Sequence, residues 1–120
     1  MNDPKRPLGV TILACLFIAV GIVGFVYHLS EFLKRAVFGW DSVLVELSES
    51  LAILFGVFML RGRNWARWGA LAWMLFHVIL NASRTFREFA IHAVFLAVIA
   101  WLLFRPEAWC YFRPPRSEAT

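Results

Sequence analysis

Apolar residues fall along this chain in long blocks, not in the one-sided stripes of a water-soluble helix. Leu8 to Leu29 is a run of twenty-two residues free of Asp, Glu, Lys and Arg. The sixteen residues between Arg67 and Arg84, and sixteen more from Phe89 to Phe104, are blocks of the same kind. A helix rises 1.5 Å per residue, so a hydrocarbon core of about 30 Å takes roughly twenty apolar residues, with about 17 as the lower end. The two shorter blocks reach that length by adding interfacial residues such as Trp65 and Phe86. Blocks of this length predict membrane-spanning helices.

A fourth block is interrupted. Between Asp41 and Arg61 the purely apolar run, Leu51 to Leu60, has ten residues, or roughly 15 Å of helix. The twenty residues from Asp41 to Leu60 are long enough to cross, but only with Glu46 and Glu49 inside the span. A half-span that dips in and returns would leave backbone groups unpaired in lipid, which is the costlier arrangement. The pattern therefore predicts an all-α, four-helix transmembrane bundle forming one domain over 1–120. Its spans lie near 8–29, 42–60, 66–84 and 88–104. Residues 30–40 read as a short amphipathic surface helix with a Glu31–Arg35 pair at i,i+4. Residues 107–112 read as interfacial, and the tail 113–120 as disordered.

Composition and charge sharpen the topology. The chain is 61% hydrophobic with a net charge of +4, against roughly 45–50% apolar residues in a soluble domain. Four spans place both termini on one side. That side collects Lys5, Arg6, Arg61, Arg63, Arg67, Arg105, Arg113 and Arg116, and the other collects Lys34, Arg35, Arg84 and Arg87. Eight basic residues against four put both termini in the cytoplasm. Scattered among span ends, they argue for lipid headgroups as the basic residues' partners and against nucleic acid. Lys5 and Arg6 before an apolar run resemble a signal peptide, and Ile12-Leu13-Ala14-Cys15 resembles a lipoprotein box. The run after Cys15 stays apolar too long for either, so no cleavage is expected. Cys15 and Cys110 form no CxxC, so no disulfide framework is indicated.

The intramembrane polar groups share one half of the predicted bilayer. Counted from the outer span ends at 1.5 Å per residue, Glu49 lies roughly 12 Å deep and His77 roughly 10 Å, with Glu46, Asn81 and His92 at roughly 5–8 Å and His28 near the surface. The inner halves hold nothing comparable. His77, Asn81 and Arg84 share a helix face, as do Glu46 and Glu49, and Glu88 and His92. Ala14, Gly21, Gly24 and His28 make a stripe suited to close helix approach, and a second copy could use it. The expected site is a converging cluster of His28, Glu46, Glu49, His77, Asn81, Arg84 and His92.

A charge at mid-bilayer costs on the order of 3 kcal/mol. In the structural reading Glu46 pairs with Arg84 and Glu49 bonds His77 or Asn81, as polar glue between helices. In the transport reading Glu49 exchanges a proton or cation for substrate, with Glu46 and His77 tuning it. Small multidrug exporters carry their essential glutamate in the first span, where this chain has none. A di-metal site needs Glu-x-x-His pairs, and neither Glu46-x-x-Glu49 nor Glu88-x-x-x-His92 provides one, so no metal is expected. His77 and His92 differ in depth by roughly one turn, which disfavours them as haem ligands, and no cofactor is expected. Phosphate-loop, GxGxxG, HExxH and GxSxG motifs are absent, and Ser48 and Ser50 are expected to bond their own helix. The chain reads as non-enzymatic: an accessory subunit or an oligomeric membrane protein, or alternatively a small transporter.

Three stretches, RPLGVTILACL, LRGRNWARWGAL and LLFRPEAWCYF, resemble short uncharacterised bacterial inner-membrane proteins with four spans. An Arg-Pro-x-Gly-Val-Thr start and a Gly-Arg-x-Trp-Ala-Arg turn recur in those proteins. The resemblance implies the topology and a bacterial cytoplasmic membrane. It implies no activity and no site residues.

Overall fold

The computed structural model describes residues 5–36 and 38–113. Within them the chain is all-α, with α1 (Leu8–Arg35), α2 (Trp40–Leu60), α3 (Asn64–Asn81), α4 (Phe86–Phe104) and α5 (Pro106–Phe112). Of the expected disordered tail only Arg113 is described. Residues 114–120, Arg116 included, lie outside the described residues, as does Val37.

Local chemistry sets the helix boundaries. Pro7 is extended ahead of α1, and Gly39 is extended ahead of α2. The α2–α3 turn closes on Gly62, whose N–H bonds Met59 O at 3.0 Å and whose φ of 71° only glycine adopts readily. Thr85 opens α4 by accepting the Glu88 N–H at 3.2 Å, the first half of a capping box spelled Thr85-Phe86-Arg87-Glu88. Arg105 is extended between α4 and α5, as a residue before proline must be.

One boundary departs from expectation. Residues 30–35 do not form a separate surface helix; they continue α1 for its last turns, to a left-handed cap at Ala36 (φ 50°). The segment Ser-Glu-Phe-Leu-Lys-Arg contains no helix breaker. Its charges also support the helix, since Glu31 pairs with Lys34 at 3.3 Å and with Arg35 at 3.8 Å.

Each long helix runs antiparallel to the next. Gly56 lies against Ala14 and Ile18, Gly21 against Ile53, and Gly24 against Glu49, so α2 descends along α1 in close register. On the next pair, Phe58 packs on Trp65 with ring centroids 4.9 Å apart, and Trp73 Nε1 donates to Ser48 O at 3.0 Å. Trp68 packs on Phe104 at 5.0 Å to join α3 to α4. α1 touches α4 near Gly9 and Leu102, a thinner contact than its seam with α2.

The core sits at one end. Val10, Leu13, Ala14 and Phe17 pack with Met59, Ala66, Ala70, Leu103, Ala108 and Phe112 beneath α5. In the opposite half, Val78 is the one buried hydrophobic side chain among the described residues. Buried side chains gather at the α5 end, while α1 and α2 stay in close contact into the other half through Gly21 and Gly24.

Three helices, α1, α2 and α4, are long and apolar enough to cross a membrane. Their outward surfaces expose Leu16, Val23, Leu44, Leu54, Val94 and Phe95, more contiguous apolar area than a water-soluble monomer carries. These features mark a membrane protein. α3 is less apolar because it holds Arg67, His77 and an asparagine at each end.

Candidate functional site

The site begins with the close approach of α1 and α2. Because Gly24 has no side chain, the Glu49 carboxyl group lies directly over its Cα. A Cβ at Gly24 would fall 2.5 Å from Glu49 Cδ and 2.6 and 2.8 Å from its two oxygens. His28 from α1, His77 from α3 and Glu46 one turn away are within electrostatic reach of this carboxyl. Both oxygens of Glu46 and Oε2 of Glu49 are buried and have no hydrogen-bond partner among the described residues.

The interhelical pairs expected for glue do not form. His77 Nδ1 bonds Trp73 O at 2.8 Å, and its ring packs on the Trp73 ring with centroids 4.1 Å apart. Asn81 Nδ2 donates to His77 O at 2.8 Å, and His92 Nδ1 bonds Glu88 O at 2.7 Å. All three are satisfied by the carbonyl four residues earlier in their own helix. With Nδ1 as the donor, Nε2 of each histidine is left as an acceptor. Arg84 is exposed in the turn after α3, and His28 is exposed on α1. The structure thus gathers Glu46 and Glu49 with His28 and His77 in reach, and leaves Asn81, Arg84 and His92 to their own surroundings. Ser50 bonds its own helix at Glu46 O, 2.8 Å, whereas Ser48 Oγ instead accepts from Trp73 Nε1 at 3.1 Å.

The stripe of Ala14, Gly21 and Gly24 faces α2 of the same chain. It is occupied, so a second copy would have to pack elsewhere. Among the described residues, no three His, Cys, Asp or Glu side chains are grouped to hold a metal ion.

One residue corrects the reading that all buried ionisable groups share the outer half. Arg67, counted in the sequence as a charge of the turn, is a fully buried residue of α3 at 0% exposure. Its Nη1 donates to Leu103 O at 3.3 Å. Its guanidinium carbon lies 4.6 Å from the ring centre of Phe104, 4.8 Å from Trp109 and 5.4 Å from Phe112. Trp109 and Phe112, three residues apart on α5, present their rings to one side; that spacing was the available signal. An arginine beside a span end reads by default as an interface marker, which is why it was missed.

Comparison of the chain with protein-family models, curated proteins and solved structures finds no match.

Proposed function

We propose that this protein is a non-enzymatic, four-span bundle of a bacterial cytoplasmic membrane, with both termini inside, that binds a proton or small cation at Glu46 and Glu49 and couples it to transport. One observation carries the reading: both carboxyl oxygens of Glu46 and one of Glu49 are buried without a donor among the described residues. A carboxylate in this setting is costly unless something neutralises it. The described residues supply no ion pair to either glutamate, and His28 and His77 act on Glu49 without contacting it, so the reading takes a proton or small cation as the neutralising charge.

The rival is an accessory subunit or oligomer, in which a basic side chain of another helix supplies that charge. Its weakness is the position of Glu49, whose oxygens sit over Gly24 between α1 and α2 and not on an outward face. A proton or small cation reaches such a place more readily than a lysine or arginine does.

The test compares the wild type with Glu49→Gln in proteoliposomes, reading proton- or sodium-gradient-driven flux, and in detergent, reading the thermal midpoint. The reading expects flux to be lost in the variant and the midpoint to hold or rise, since the amide removes an unpaired buried acid. A lowered midpoint with no flux in either protein would return Glu49 to the role of glue. A basic membrane partner co-purifying with the wild type and not with the variant would favour the accessory subunit.

A further inference from the structure

We infer that the α5 end carries a binding site for a phosphate group, formed by Arg67 and Arg113 on either contact of Trp109. The site lies at the opposite end of the helices from Glu49 and does not depend on the function proposed for that residue.

The observation that points to a ligand is the state of the Arg67 guanidinium. Nη1 is used by Leu103 O, while Nε and Nη2 are buried without a hydrogen-bond partner among the described residues. Nε and Nη2 form the side edge of the planar fork, the edge whose two N–H bonds run parallel and take up two oxygens of one anion. The residue is fully covered, so an anion reaches its unspent two-toothed edge only as the Trp109–Arg113 end of α5 shifts aside.

The surrounding charge points the same way. Arg113 is exposed, and its guanidinium carbon lies 5.0 Å from the ring centre of Trp109, the same ring that Arg67 meets at 4.8 Å. The Arg113 charge is close enough to act on Arg67. Neither arginine takes part in an ion pair among the described residues; Glu107, the acid of α5, is engaged by Arg105 at 3.5 Å. Aromatic faces offset part of the cost of a buried cation. They do nothing for two like charges sharing one ring. An anion seated beside Trp109 does, with Arg113 as its exposed entry and Arg67 as its buried anchor.

Phosphate is the anion chemistry that fits. It offers paired oxygens to a guanidinium edge and a second pair to a neighbouring cation. α5 follows a membrane-crossing helix, which places it at headgroup depth, where phosphodiesters are abundant. The phosphate comes either from an anionic lipid headgroup or from a free phosphate compound.

The experiment titrates the purified full chain in neutral detergent and reads the thermal midpoint. Phosphatidylglycerol is added in mixed micelles, against phosphatidylcholine as its control. Inorganic phosphate is added separately, against chloride at equal ionic strength. A midpoint raised by several degrees with phosphatidylglycerol identifies the lipid source, and one raised with inorganic phosphate identifies the free source. In either case Arg113→Gln, a surface change, loses at least half of the shift, and Arg67→Met loses all of it. Arg61→Gln, an exposed arginine outside the site, keeps it. The proposal is overturned if neither phosphate source exceeds its control, or if Arg113→Gln retains the whole shift. Should Arg67→Met fail to fold, Arg113→Gln alone decides.

Discussion

A methyl group added at Gly21 would lie 2.8 Å from the carbonyl oxygen of Glu49 and 3.0 Å from the amide nitrogen of Ile53. Backbone atoms of a packed helix cannot swing aside, so α1 and α2 would have to separate. At Gly9 the same methyl would meet the tip of the Leu102 side chain at 3.0 Å, which has rotamers to spare. Gly21→Ala should therefore destabilise by roughly 1–3 kcal/mol, and Gly9→Ala by less than about 0.5 kcal/mol, since alanine also favours the helix. Unfolding midpoints of the two variants in one detergent check this; equal losses would mean that the seam is softer than its distances imply. The spacing of Ala14, Gly21 and Gly24 was legible in the sequence as a surface built for close approach. Which helix approaches was not, because small residues record a distance and not a partner. The structure does not bring Asn81 and His92 onto Glu46 and Glu49 as expected, and for the same reason their spacing could not foretell it. Each found a carbonyl in its own helix, and helix rotation leaves no trace in spacing alone.

At the scale of elements, α5 acts as a cap on α2. The last carbonyls of a helix have no intrahelical donor. Here the Tyr111 hydroxyl reaches Leu60 O at 2.7 Å and Met59 O at 3.2 Å, and Arg6 Nη1 reaches Leu60 O at 3.0 Å. The Tyr111 ring also packs on Gly62 in the adjoining turn. Tyr111→Phe keeps the ring and removes the donor, so it should cost roughly 0.5–1.5 kcal/mol. The loss should be local: hydrogen exchange should quicken in α5 and the final turn of α2, and stay unchanged in the middle of α1. Uniform quickening along every helix would show that α5 supports the whole core and not one helix end. Pro106 announced the break before α5, and the apolar blocks announced the four long helices to within a few residues. The end of α1 was hidden because residues 30–36 contain neither glycine nor proline, and a left-handed alanine has no sequence signature. Arg67 was hidden by its position beside a span end.

For the whole molecule, the deciding element is α3, which is less apolar than its neighbours. Its connections are short: three residues, Arg61 to Arg63, join it to α2, and four, Ala82 to Thr85, join it to α4. Such links reach roughly 10–14 Å, and a hydrocarbon core is about 30 Å thick. If α2 and α4 both cross, the chain between them has to be carried back by α3, whose eighteen residues extend roughly 27 Å. The buried Arg67 lies in the first turn of α3, where aromatic rings of α5 cover it. In the proposed four-crossing topology the α5 end and the amino terminus share a side, which the excess of basic residues would put in the cytoplasm. In a Cys15→Ser background, a membrane-impermeant maleimide should leave the exposed Cys110 untouched in intact spheroplasts and modify it after permeabilisation. A cysteine introduced by Arg35→Cys, at the exposed end of α1, should be modified in both. Modification of both Cys110 and position 35 in intact cells would mean three crossings. α3 would then lie along the inner surface, and the Glu49 site would open toward the same side of the membrane as α5.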